Sequence, residues 1–194
     1  SPLEVLAGTR GTVGGDMAAR LGLQFPLRDD VQLSDVRVSA AANMRGVRMK
    51  PGPSGFIVTN SDLELKLSNR TLKIAGQVEL NGVPLSLDWH EFFVLGQGFR
   101  SRYILSGDLE ADALERLGLP MLPFIGGVSE TNLILTRFGD GRSEILVSGD
   151  LNGAVISIPH IGWLKPAGRP GNFRMGIMVA ADGAFQVDNL TVTA

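Results

Sequence analysis

Apolar and polar residues alternate with a period of two over most of the chain. In "DLELKLSN" (Asp62–Asn69), Leu63, Leu65 and Leu67 point one way while Glu64, Lys66 and Ser68 point the other. "TLKIAGQVEL" (Thr71–Leu80) continues with Leu72, Ile74, Gly76, Val78 and Leu80. "PLSLDWHE" (Pro84–Glu91) then sets Leu85, Leu87 and Trp89 against Ser86, Asp88 and His90. This alternation predicts strands with one apolar and one polar face. Further strands are expected at Val31–Ala40, with a register change near Asp35, and at Arg100–Leu109, Thr131–Phe138 and Ser143–Leu151. Ala154–Ile158, Phe173–Ala180 and Ala184–Val192 complete the set.

The joints carry hairpin chemistry. Asn81-Gly82 sits between two alternating runs, which favours a type I′ turn because both central residues need positive φ. Ser68-Asn69-Arg70-Thr71 is a weaker turn, and Asp140-Gly141 and Asp182-Gly183 are further Asp-Gly joints. A meandering antiparallel order follows. Helix is expected at Glu110–Gly118, with Leu114 and Leu117 on one face and Gly118 as the stop, and at Gly15–Leu23, with Asp16 as N-cap. One pattern recurs: Gly76, Gly107 and Gly149 each lie in an apolar-small-Gly-polar-apolar frame, and the last two share Ser-Gly-Asp-Leu. Glycine inside a strand marks a bulge or bend. The repetition suggests similar hairpins set along one axis rather than wrapped around a closed core.

Composition narrows the function. The chain has 194 residues, 44% of them apolar, enough for a real core and too many for disorder. Its 18 basic and 20 acidic residues are mixed, for a formal net charge of -2. No concentrated basic face is on offer for nucleic acid or anionic headgroups. The only hint of a basic run is Arg45, Arg48 and Lys50. Cysteine is absent, which excludes disulfides, thiolate ligands and a cysteine nucleophile. No apolar run reaches the length of a membrane helix. The Ser-Pro-Leu-Glu start reads as a processed chain or a piece of a longer one.

Chemistry-bearing motifs are weak. His90 and His160 are the two histidines and neither lies in a ligand-spaced cluster. Ser106 and Ser148 precede Gly-Asp but lie outside any Gly-x-Ser-x-Gly elbow. Asp108, Glu110 and Asp112 read as caps and solvation of the short helix rather than an ion loop. "GTRGTVGG" (Gly8–Gly15) lacks the Lys-Ser/Thr ending of a phosphate cradle. Asn69-Arg-Thr and Asn189-Leu-Thr match the glycosylation pattern. No enzyme, cofactor or metal is expected. An envelope enzyme acting on glycan or lipid would require carboxylates, or a serine with a base, converging in a pocket.

"DLNGAVISIPHIGWLKPAG" (Asp150–Gly168) is better read as architecture. Leu151, Val155 and Ile158 are expected on a strand that Pro159 closes, since proline lacks the ladder donor. Ile161 and Trp163 then alternate around Gly162, and Lys165–Gly171 is a restrained exit loop. Trp163 is either a plug on the apolar face or a ring touching lipid or sterol tails at a groove edge.

This stretch, with "GDGRSEILVSGDL" before it and "GRPG" after it, resembles the AsmA-like proteins of Gram-negative envelopes, in particular the YhdP-like branch. "KIAGQVELNGVPLSLDWHEFF" and Arg100–Pro120 are similar to that branch as well, so the likeness runs from about Leu27 to Gly171. The resemblance implies an elongated, curved antiparallel β-sheet, a U-shaped groove with an apolar inside, in a bridge-like lipid transfer protein. It also implies a non-enzymatic role, with phospholipid as partner, moving between inner and outer membranes. The setting would be the periplasm, within an inner-membrane-anchored parent whose N-terminal helix and further segments lie elsewhere in the chain. Residues 1–194 would then form one β-rich segment with hairpin-like units near 27–99, 100–142 and 143–194.

Groove-lining candidates are Leu63, Leu65, Leu67, Leu72, Ile74, Val78, Leu85, Leu87, Leu133, Leu135, Ile145 and Val147, with Trp163 at an edge. A closed β-sandwich would use the same residues as ordinary core. The corresponding function would be a structural or adaptor domain whose edge strands pair with neighbouring segments. Arg137 continues the Leu133–Leu135 face, so it is expected either to be flipped by a bulge or to mark a rim. "KPGPSG" (Lys50–Gly55) reads as a loop at the trough edge.

Overall fold

The structure, a computed structural model, describes residues 13–32, 35–49, 55–94, 98–117 and 125–193. It is mainly β: an elongated, open antiparallel sheet with almost no helix. The strands are β1 (Val13–Gln24), β2 (Arg37–Met49), β3 (Val58–Ser68), β4 (Thr71–Leu80), β5 (Val83–Phe92) and β6 (Ser101–Glu110). After helix α1 (Ala111–Arg116) come β7 (Ile125–Arg137), β8 (Ser143–Asp150), β9 (Ala154–Ile158), β10 (Trp163–Lys165), β11 (Asn172–Val179) and β12 (Phe185–Thr193). The main path is a meander, β1 to β8 and then β11 and β12, while β9 and β10 form a side ribbon on the first residues of β7. β1 and β12 are free edges among the described residues, so the sheet does not close into a barrel.

Turn chemistry sets this order. Asn81 and Gly82 have φ of 49° and 76°, the double positive pair of a type I′ turn, and they join β4 to β5 in unbroken register. At the β3–β4 joint the Ser68 hydroxyl accepts from Thr71 N at 3.1 Å. Asn69 reaches across instead: its amide donates to Val36 O at 2.6 Å and accepts from Val38 N at 2.5 Å, fastening the start of β2.

Several expectations are corrected. Gly15–Leu23 is not a helix but most of β1, because Met17, Ala19, Leu21 and Leu23 alternate and pair with β2 residue by residue. The strand expected at Val31–Ala40 starts at Arg37 and runs on to Met49. At α1, Glu110 is the N-cap residue but makes no side-chain capping bond, and Asp112 pairs with Arg116 at 3.4 Å. In β9 the buried side belongs to Ala154 and Ile156, with Leu151 beside them, while Val155 faces out. Leu33, Gly8–Thr12, Lys50–Ser54 and Gly118–Pro120 lie outside the described residues, as does the side chain of Leu114.

A crease crosses β1 to β4. Register shifts fall between Gly14 and Asp16, Met44 and Val47, and Thr59 and Asp62. Gly76 meets this line in β4 at φ 147°, and a Cβ there would stand 2.2 Å from Asp62 O, so glycine is required by both space and conformation. Ser61, fully buried, repairs the interrupted ladder by accepting from Glu79 N at 3.2 Å and donating to Thr59 O at 2.9 Å.

Candidate functional site

Direct cross-strand partners share a face, so the register sorts the side chains. One line across the sheet reads Ala19, Ala42, Leu65, Ile74, Trp89, Tyr103, Leu135, Ile145, Ile177 and Val187. The next on the same face reads Met17, Met44, Leu63, Gly76, Leu87, Leu105, Leu133, Val147, Met175 and Leu190. Both are apolar across all ten strands of the main path. The opposite face carries lines such as Gln77, Ser86, Ser106, Asn132, Ser148, Arg174 and Thr191. It also bears a small apolar patch at Ile104, Ile134 and Leu146.

The apolar face curls. Leu72, Ile74 and Val147 are only 3%, 9% and 2% exposed, although no second sheet covers them among the described residues. A flat sheet would leave such side chains in water; the twist of the sheet brings same-face neighbours toward them. Toward the two edges the shelter fades, and Leu21 and Phe185 are 69% and 76% exposed on the same face.

One end of this face is filled by protein. Ala113 from α1 and Leu117 just after it pack with Val78, Val83, Leu85 and Leu109, so Val78 and Leu85 are core under a helix rather than open surface. At the other strand end, the third line reads Leu67, Leu72, Glu91, Ser101, Arg137, Ser143 and Val179. No bulge flips Arg137. It pairs squarely between Ser101 and Ser143 and puts its charge on the apolar side at a rim. Its guanidinium lies 5.8 Å from the Tyr103 ring centroid. Glu91, buried, accepts from Arg100 Nε and Trp89 Nε1, each at 3.4 Å. Trp89 and Tyr103 stack at 5.1 Å. Burial pushes the Tyr103 hydroxyl above its ordinary value of 10.0; Arg137 pulls it down, Glu91 pushes it up, and Ser101 and Arg100 pull it down.

Nine of the thirteen candidates (Leu63, Leu65, Leu67, Leu72, Ile74, Leu133, Leu135, Ile145 and Val147) stand on the face outside the α1 core, and Leu87 packs against that core from the same face. Trp163 stands apart. It pairs with Ile158 in the side ribbon and is 37% exposed. Sequence reasoning missed the Met17, Met44 and Met175 positions, whose alternation was legible but was assigned to a helix or left unused. It also missed the Glu91–Ser101 pair, which only the β5–β6 register brings beside Arg137.

The chemistry elsewhere is sparse. Among the described residues no three histidine or carboxylate groups gather to hold a metal. His90 Nδ1 lies 3.3 Å from Asp88 on the outer face, and His160 sits in the turn after β9. A depression of about 670 Å³ lies on the polar side, with Ser106, Asn132, Ser148 and Arg174 in its lining, rather than on the apolar face. No family model, no curated protein and no solved structure matches the chain.

Proposed function

We propose that this chain is a non-enzymatic lipid-shielding module, its curled apolar face holding the acyl chains of phospholipid in transit between the two membranes of a Gram-negative envelope. The observation that carries the reading is the pair of apolar lines ten strands wide with no opposing sheet over them among the described residues. Each CH₂ removed from water is worth about 0.8 kcal/mol, so an open apolar surface of this extent invites hydrocarbon. An open trough with few polar anchors also suits passage, since a tightly clamped lipid would not move on. The AsmA-like resemblance of Asp150–Gly168 supports the periplasmic setting and the link to further segments of a parent chain.

The test is native mass spectrometry of the purified protein after incubation with phospholipid. The expected result is adducts of phospholipid mass that disappear when Leu65 and Ile74 are both changed to Asp, with the β signal in circular dichroism retained. An adduct-free wild-type protein would defeat the proposal. It would favour a second reading, a structural adaptor whose edges pair with neighbouring segments. The outer edges of β1 and β12, free among the described residues, with Leu21 and Phe185 exposed, are what favour that alternative.

A further inference from the structure

The apolar face changes character in steps along its strands. The Leu87–Leu105–Leu133 line is wholly apolar, and two residues on, the line becomes amphipathic at Trp89 and Tyr103. Two residues further it becomes polar at Glu91, Ser101, Arg137 and Ser143. Each step spans roughly 7 Å of strand. The order hydrocarbon, then aromatic with a polar tip, then charge is the order of an amphiphile. Trp and Tyr favour positions where one end is apolar and the other wet, and Trp89 Nε1 does point at Glu91.

The polar segment is narrow. It covers β5 to β8, roughly 15 Å across at the usual strand spacing, and the same line returns to Leu72 on one side and Val179 on the other. At the opposite strand end the face is filled by α1, so the two rims are not equivalent. Within the polar segment the two charges differ. Glu91 is buried and held by Arg100 and Trp89, whereas Arg137 is exposed and has no carboxylate in an ion pair among the described residues. A guanidinium held over an aromatic face keeps its planar fork of donors free for phosphate.

We infer that Arg137 is a headgroup-selecting residue: it receives the phosphate of an amphiphile whose tails lie over Leu105 and Leu133, so that lipid enters this segment in one orientation. The inference rests on the proposed acyl-chain function and adds the ligand's charge and polarity to it. The shared chemistry is a phosphate, which could belong to a lipid or to a free anion.

The experiment compares retention of dioleoylphosphatidylglycerol and dioleoylglycerol, which carry the same tails, by native mass spectrometry and by co-elution. Wild type is expected to prefer the phosphate-bearing lipid. Arg137→Gln is expected to weaken that lipid by about five- to tenfold, the scale of one charge-assisted contact at a partly wet site, and to leave dioleoylglycerol unchanged. Arg137→Lys should retain part of the preference, and Arg174→Gln, on the outer face, all of it. Equal retention of both lipids by wild type, or an unchanged ratio in Arg137→Gln, overturns the assignment while leaving acyl-chain binding intact. Retention of neither lipid overturns both readings. Arg137-dependent binding of inorganic phosphate alone, followed by phosphorus NMR, would assign the site to a free anion and overturn the headgroup role.

Discussion

Single residues decide where this sheet is wet. Tyr103 is the chain's one tyrosine, so its phenol can be titrated by ultraviolet absorbance without overlap. Burial holds its neutral form, and the midpoint is expected above 10.0. The Arg137 charge works against that shift, so Arg137→Gln should move the midpoint further up; a downward movement would refute the cation's place beside the ring. The linkage has a definite sign. A raised folded-state value means that the native state keeps its proton when the unfolded chain has lost it. This contribution to stability is whole below pH 10 and is lost as pH rises from there through the folded value. Arg137 itself was legible in the sequence as a charge on an apolar face. That it faces a rim rather than a bulge was not, because this depends on its pairing with Ser101 and Ser143.

Among the elements, the β9–β10 ribbon stands on an unusual support. Lys165 is completely buried, and its Nζ donates to Leu151 O at 2.6 Å and Ala154 O at 3.1 Å. Leu151 N in turn binds Gly171 O, and Gly168 N binds Asn152 O, so the exit loop is sewn to the connection between β8 and β9. Lys165→Met keeps the stem and removes the donor. Leu151 O keeps its bond from Ala154 N at 3.0 Å, so the loss is that of the ammonium's own bonds, about 1.5–3 kcal/mol each. Hydrogen exchange should therefore quicken across residues 154–165 while β3 to β6 keep their protection; uniform quickening would show that the ribbon and the sheet unfold as one unit. The ribbon's strands were partly legible, since Pro159 ends β9 as proline should. The burial of a lysine was not, because sequence assigns that side chain to water unless a ring of carbonyls is known to await it.

For the whole molecule, openness is the property that matters. A compact chain of this length would have a radius of gyration near 16 Å. A single meander ten strands wide spans roughly 43 Å across its strands. Small-angle scattering of the monomer should therefore give a radius clearly above the compact value, with a pair-distance distribution skewed to long distances. A compact, symmetric profile would mean that the sheet folds onto itself in solution and would return the apolar face to the role of ordinary core. The same openness separates the proposed lipid module from an adaptor domain only when lipid binding is measured as well.

The sequence by itself determined the material of the fold: strands with one apolar face, hairpin joints at Asn81-Gly82 and the Asp-Gly pairs, and a short helix after β6. These are local properties, carried by a period of two and by residues that tolerate positive φ. It misjudged β1, where "GDMAARLGL" has good helix formers but pairs with β2, because partner hydrogen bonds and a shared apolar face outweigh a few tenths of a kcal/mol of propensity per residue. The tertiary structure alone decided that the sheet stays open and that a crease runs through Gly76 and Ser61. It alone set α1 over Val78 and Leu85 and made Arg137 the neighbour of Ser101. All four depend on which strand lies beside which, and in what register. That choice is made by contacts between residues distant in sequence, whereas alternation records only that each strand has two different sides.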